Sequence, residues 1–402
     1  MGYMPGSKLS VFPGSLLLLV AALLLSCLTP AFAAFESRAP RAFLFDVNTR
    51  TVLYAQRETE RFAPASMAKL MTAAAVFDAL AGGELTLAET AFVSEDTWRR
   101  GGAPSGRATM FAEINSDVPV EDLIRGLTVM VANDAAIALA LAVEESERAF
   151  AARMSDLASQ FGAEDTVFTN ATGEPEPGMH TTVRDLVTAA TALIEQDPDN
   201  YRYFSEEDFT WNDIYQRNRN PLFGEIEGVD GLFAGYTEEF GYGVVGSVER
   251  NGRRVVFALS GVDTPEGRVD EAKRLVRYAF EDFRTVRVAE EGEPIAFART
   301  HGGSQGEVGL IAQTGALDIL LPREGEDRVR ARVVYDQPVV TPVAAGDTIG
   351  QLLVERDGTI IQSTPLVAAQ TVETGNVLQR ARAGFFELLL GWLPPISFAG
   401  SF

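Results

Sequence analysis

From Arg41 the chain runs through Ala42, Phe43, Leu44 and Phe45, turns at Asn48-Thr49 and returns through Val52, Leu53, Tyr54 and Ala55. Two β-rich runs around a turn pair predict a hairpin that opens a sheet. The small and apolar residues from Ser66 to about Leu80 predict a helix, stopped at Gly82-Gly83. Helical spacing then dominates, most clearly over Val120 to Glu145 and Glu147 to Gly162. A third helix spans Thr181 to Ile194, with Thr181 and Thr182 as N-cap candidates. Strand patterns return at Tyr242 to Glu249 and Arg253 to Val262, joined by Arg250-Asn251-Gly252, an Asn-Gly hairpin signal. A helix from Glu266 to Phe283 follows. Strands at both sequence ends with helices between them predict an α+β domain whose antiparallel sheet carries a helical insertion and is completed late.

From about Thr285 the helical period disappears. Short alternating runs between Gly and Pro residues predict a small separate β domain over 285–372. Beyond it, Val377, Leu378, Ala381, Phe385, Leu388, Leu389 and Trp392 fall on one face of a helix from Asn376 to Trp392 that Pro394 and Pro395 end. That length is too short to span a bilayer and fits a helix lying in a membrane surface. Docking on the protein's own β domain is the other use of such a face. At the opposite end, Lys8, the apolar block Leu16 to Leu28 and Ala31-Phe32-Ala33 form a secretory leader. The expected organisation is therefore a leader over 1–34, an α+β domain over 35–284, a β domain over 285–372 and an amphipathic tail over 373–402.

Composition narrows the function. The 402 residues are 46% hydrophobic and 22% charged, which suits a globular chain with a sizeable core. Cys27 is the only cysteine and lies inside the leader, either discarded with it or used for lipid attachment. A disulfide scaffold and a thiol enzyme are both excluded for the exported chain. The net charge of −22, made slightly more acidic by loss of Lys8, opposes binding to nucleic acid. His180 and His301 lie far apart, so neither a zinc site nor any other metal is expected, and no cofactor motif is present.

One cation interrupts the apolar helix. Lys69 stands three residues after Ser66, on the same helical face. Burial would make the ammonium costly and lower the lysine pKa, and a neutral amine can take the proton of a serine hydroxyl. That produces an activated nucleophile without histidine. A surface lysine below an N-capping serine has the same spacing. Ala63-Pro64-Ala65 leads the chain into the first turn, where free N–H groups can hold an oxyanion.

With Pro64 to Thr72 the sequence resembles the serine D-alanyl-D-alanine carboxypeptidases, the low-molecular-mass penicillin-binding proteins. The resemblance continues through Trp98 to Phe111, Gly126 to Ala140, Thr169 to Gly173, Gln216 to Asn220 and Val229 to Gly243, and covers the β domain and the tail. It implies a penicillin-binding, β-lactamase-like fold and removal of terminal D-alanine from peptidoglycan pentapeptides through an acyl-enzyme on Ser66. Lys69 would be the base and Asn133 a catalytic partner that holds a substrate amide and orients Lys69. Gly235 and Tyr236 would lie against the substrate, with the Tyr236 and Ser66 N–H groups as the oxyanion hole. Arg219 and Arg268 resemble arginines that contact substrate. Implied partners are peptidoglycan peptide stems, β-lactams as covalent inhibitors, and the membrane surface on the periplasmic side of the cytoplasmic membrane.

The chain departs from the family's three-part pattern of Ser-x-x-Lys, Ser-x-Asn and Lys-Thr-Gly. Val131 stands at the serine of the second part, and Phe233-Ala234 replace the lysine and threonine of the third. By resemblance these groups relay a proton to the leaving amine, hold the substrate carboxylate and favour the neutral form of the first lysine. Each lost hydrogen bond to a charged group is worth about 1.5–3 kcal/mol. A catalytically impaired paralogue that binds peptidoglycan or acts as a scaffold is the competing expectation. A β-lactamase is a weaker one.

Overall fold

The computed structural model describes residues 35–313, 315–324 and 328–377. The leader, and the tail helix beyond Val377, lie outside the described residues. Strands β1 (Arg41–Asp46) and β2 (Thr51–Gln56) form the expected hairpin, and a short 3-10 turn, Ala65–Ala68, leads into α1 (Lys69–Ala81). There follow β3 (Thr90–Val93), α2 (Glu95–Gly101), β4 (Ser116–Pro119), α3 (Val120–Thr128), α4 (Asn133–Val143), α5 (Glu147–Gln160), α6 (Val183–Gln196) and α7 (Pro198–Tyr201). The hairpin β5 (Asp208–Trp211) and β6 (Ile214–Arg217) precedes β7 (Val229–Thr237), β8 (Gly241–Arg250) and β9 (Arg253–Val262), and α8 (Pro265–Glu281) ends this part.

The strands pair in the order β2-β1-β9-β8-β7, antiparallel throughout, with β7 at the edge. Asn251 and Gly252 both take positive φ, 52° and 76°, which a tight turn between β8 and β9 requires. Thr182 caps α6 through the N–H of Asp185, and Thr264 caps α8 through that of Gly267. Helix α1 is apolar on nearly every side and runs through the core, with every residue from Lys69 to Phe77 buried. Helix α5 lies against α1 and α6 packs on β9.

One expected helix is two. The run from Val120 to Glu145 breaks at Val129–Ala132, and Val131 adopts φ 55°, a left-handed conformation costly for a β-branched residue. The break redirects the chain so that Asn133 becomes the first residue of α4.

The C-terminal all-β domain comprises β10 (Phe283–Ala289), β11 (Ala296–His301), β12 (Glu307–Ala312), β13 (Leu317–Pro322), β14 (Val329–Tyr335), β15 (Val339–Val340), β16 (Thr348–Arg356) and β17 (Thr359–Ala368). Its own core includes Leu310, Ile319, Leu352, Val354 and Leu366. It meets the first sheet at β2, where Gln362 of β17 pairs with Thr51, the Thr51 hydroxyl donates to Gln362 Oε1 at 3.1 Å, and Arg356 of β16 donates to the Leu53 carbonyl at 3.2 Å. No described helix is long and apolar enough to cross a membrane.

Candidate active site

Ser66 sits in the 3-10 turn, half-buried, while Lys69 begins α1 and is completely buried. The Lys69 amine donates to the carbonyl of Thr172 at 2.7 Å and reaches the Ser66 hydroxyl at 3.4 Å. Neither a surface lysine nor a capping serine describes this pair, because no side chain caps the turn and Lys69 has no exposure to solvent. Burial lowers the Lys69 pKa from 10.5 to about 7, against the opposing pull of the carboxylates of Glu174 and Asp134. A lysine so placed divides its time between ammonium and amine near neutral pH, which suits it to accept a serine proton.

The backbone around the nucleophile is tightly held. Ala65 adopts φ 50° immediately before Ser66, an outlier of the kind that persists where surrounding structure imposes it. Gly173, at φ 80°, presses on the same residue, since a Cβ there would lie 1.9 Å from the Ala65 carbonyl oxygen. Gly235 of β7 presses from the other side, where an added Cβ would meet Ala65 Cβ and the Pro64 carbonyl oxygen at 2.9 Å and Ser66 N at 3.3 Å. Only glycine lets the edge strand approach the nucleophile this closely.

Asn133 is buried at the start of α4. Its side-chain amide donates to Glu174 Oε1 at 3.4 Å, whereas the amine of Lys69 bonds to Thr172 and Ser66. Asp134 beside it is clamped: its carboxylate accepts from Thr109 Oγ1 at 2.5 Å and from the N–H groups of Met110, Ala112 and Ala135. These bonds fix the loop after α2 over the site.

On the strand side, Tyr236 is half-exposed and stacks on Tyr242, with ring centroids 4.4 Å apart. Arg268 projects from α8 to the same edge, its Nη1 3.5 Å from the carbonyls of Gly235 and Gly243 and its guanidinium 5.5 Å from the Tyr242 ring. Its buried Nε has no partner among the described residues. Burial pulls its pKa below the usual arginine value, and the group stays cationic. Arg219 differs: its N–H donates to Val129 O at 2.9 Å, while the exposed guanidinium donates to Gln216 Oε1 at 3.3 Å.

The two departures from the expected motif both join the core. Phe233 is wholly buried, with its ring edge-on to Phe204 at 5.5 Å, and Val131 is buried in the same apolar cluster. No spacing in the sequence marks Thr172 and Glu174 as site residues, although Thr169 to Gly173 carries part of the family resemblance. A compositional signal for Lys69 itself was available. Of 34 lysines and arginines only Lys8, Lys69 and Lys273 are lysine, and arginine cannot give up its proton to serve as a base.

Comparison with known proteins fits this arrangement. The family model described as D-alanyl-D-alanine carboxypeptidase matches residues 29–264, and that of the penicillin-binding protein 5 C-terminal domain matches 283–374. The chain belongs to the D-alanyl-D-alanine carboxypeptidase family. Within it, the D-alanyl-D-alanine carboxypeptidase DacA of Haemophilus influenzae is 32% identical over 353 residues, 87% of each chain. The DacD enzyme of Escherichia coli is 30% identical, over 90% of this chain and 97% of its own. The crystal structure of penicillin-binding protein 5 from Haemophilus influenzae superposes with a TM-score of 0.74 at 32% identity, over 85% of this chain and all of the other. The cefotaxime-bound penicillin-binding protein D2 of Listeria monocytogenes matches 62% of this chain and 99% of its own, at 29% identity and a TM-score of 0.55. The carboxypeptidase family thus accounts for both parts of the described fold.

Proposed function

We propose that this protein is a serine D-alanyl-D-alanine carboxypeptidase that removes the terminal D-alanine from peptidoglycan pentapeptides. The observation that carries the reading is the Lys69 amine, fully buried, lowered to about 7 and 3.4 Å from the Ser66 hydroxyl.

Neutral Lys69 takes the Ser66 proton as Oγ attacks the carbonyl carbon of the penultimate residue. The N–H groups of Ser66 and Tyr236 stabilise the oxyanion, a role main-chain donors retain when side chains change. The C–N bond then breaks and the leaving D-alanine amine takes the proton back from Lys69, because Val131 has no hydroxyl to pass it. Water next cleaves the ester, delivering its hydroxyl to the acyl carbon and its proton to Ser66 Oγ. Asn133 holds a substrate amide, Gly235 lets β7 and its bound substrate lie close against the Ser66 turn, and Arg268 offers its cation to the terminal carboxylate. Arg219, exposed at the rim, would meet a more distal part of the peptide. β-Lactams would acylate Ser66 by the same first step. With a leader over 1–34 and an amphipathic tail over 373–402, the protein would work on the periplasmic face of the cytoplasmic membrane.

Intact-protein mass spectrometry after incubation with benzylpenicillin tests this reading. The expected result is one covalent adduct mapped to Ser66, absent from Ser66→Ala, together with D-alanine release from a pentapeptide by the unmodified chain. Peptidoglycan binding with neither adduct nor release would leave a scaffold instead of an enzyme. An adduct on another residue would reject the site.

A further inference from the structure

The mechanism above gives no role to Glu174, a charged side chain of the site. Glu174 lies two residues beyond Thr172, whose carbonyl binds the Lys69 amine, and directly after Gly173, which presses on the turn carrying Ser66. Its backbone is fixed on both sides: its N–H donates to Thr172 Oγ1 at 3.3 Å and its carbonyl accepts from Asn170 Nδ2 at 2.9 Å. Its carboxylate takes the Asn133 amide at 3.4 Å and an ion pair with Arg107 at 2.9 Å. The side chain is 41% exposed, so it meets solvent while Lys69 does not.

The charges around Lys69 can be enumerated by element. From α4 comes Asp134, whose two oxygens already accept four hydrogen bonds, three of them from the 109–112 loop and one from the N–H of Ala135. From the turn after α5 comes Glu174. From the 3-10 turn comes the neutral Ser66. From β7, between Gly231 and Thr237, comes no charged residue, because Phe233 stands where the family's pattern has lysine. Arg107 is engaged with Glu174, and Arg268 lies at the Gly235 carbonyl. The cation that would keep Lys69 neutral is therefore missing from β7, and the Glu174 carboxylate acts on the amine instead, held in the same hydrogen-bonded network through Thr172 and Asn133 and not by a direct ion pair.

We propose that Glu174 is a positioning residue for this reaction, supplying the negative charge that the Lys69 ammonium faces after it takes the Ser66 proton. The inference rests on Lys69 being the base. The charge arrangement of the site is then inverted relative to the family pattern: burial, instead of a second lysine, favours the neutral amine, and Glu174 offsets burial so that the amine remains basic enough to accept a proton. The Arg107 pair adjusts that offset by partly neutralising Glu174.

Since Lys69 is one of only Lys8, Lys69 and Lys273, lysine-selective carbon labelling of the full chain gives few signals, and Lys273→Arg assigns them. The pH titration of the Lys69 methylene beside the amine is followed in wild type, Glu174→Gln, Glu174→Asp and Arg107→Gln. Glu174→Gln is isosteric and should lower the midpoint by about half a pH unit or more. Glu174→Asp should retain most of the wild-type value. Arg107→Gln, which exposes the full charge of Glu174, should raise the midpoint. The rising limb of penicillin acylation against pH should move in the same directions. If Glu174 were only a latch for Arg107, the Gln variants at 174 and 107 would behave alike, and that result overturns the proposal, as does an unmoved midpoint in Glu174→Gln. The titration needs no turnover. Loss of penicillin labelling in wild type would therefore sink the carboxypeptidase reading, while an unmoved titration would sink the role of Glu174.

Discussion

The two walls of the cleft are built on different terms. The helical wall brings Ser66, Lys69, Asn133, Thr172 and Glu174 into one bonded cluster, with Asp134 beside it and Lys69 and Asp134 buried. The strand wall, β7, contributes a backbone: Phe233 turns into the core, Ala234 and Gly235 are small, and Tyr236 faces outward. Side-chain chemistry is concentrated on the first wall and shape on the second. A wall that works through its main chain can lose its charged side chains and still serve, provided nothing stops it from approaching the nucleophile.

The sharpest way to break this comparison is to return a lysine to the strand. Phe233 packs edge-on against Phe204, which itself packs on Phe77 and Tyr201. Removing such a ring costs roughly 3–5 kcal/mol, and an unpaired ammonium in its place adds a desolvation penalty of several kcal/mol. Phe233→Lys is therefore expected to lower stability by more than the truncation value, read as the shift in urea midpoint at pH 7. If the variant instead kept its stability and lowered the Lys69 midpoint, the strand wall would still be an electrostatic part of the site.

A smaller effect of opposite sign is expected on the helical wall. The Lys69 amine titrates near 10.5 when unfolded and near 7 in the fold. Between those values the unfolded chain holds more protons, so stability rises with pH across this window and is lost as pH falls toward 7. Lys69→Met removes that penalty. The variant should lose acylation yet exceed wild type in stability by ~2–4 kcal/mol at pH 7, with the advantage shrinking toward pH 10. A difference independent of pH would mean that Lys69 is charged in the fold.

Elements governed by local rules were legible from sequence. The Asn251-Gly252 turn, the Thr182 cap and the Ser66–Lys69 face all follow from short-range geometry. The break after α3 was not, because Val129, Met130, Val131 and Ala132 are apolar without interruption, and no propensity suggests a valine at φ 55°. The direction of Phe233 was also hidden. Leu232, Phe233 and Gly235 of β7 are all buried, so alternation could not say which face meets the cleft. Glu174 is hidden in the sequence for another reason: its contacts with Asn133 and Arg107 span 41 and 67 positions, and only the fold brings them together.

The smallest predicted change tests the shape of the strand wall most directly. Gly235 has ordinary backbone geometry, so Gly235→Ala adds no φ strain and acts only through space. Its Cβ would be 2.9 Å from both Ala65 Cβ and the Pro64 carbonyl oxygen, and backbone atoms cannot swing aside as a long side chain would. Overpacking of this kind typically costs about 1–3 kcal/mol. Ala65 is already held at φ 50° with Gly173 against its other side, so the turn has little freedom to retreat and β7 must give way. That separates the Tyr236 N–H from Ser66. A weakened oxyanion contact lowers the acylation rate by roughly 10²-fold, while the pH midpoint of Lys69 stays where it was, since no charge has moved. Stopped-flow acylation by penicillin alongside the lysine titration distinguishes this from damage to the helical wall, in which rate and midpoint would change together.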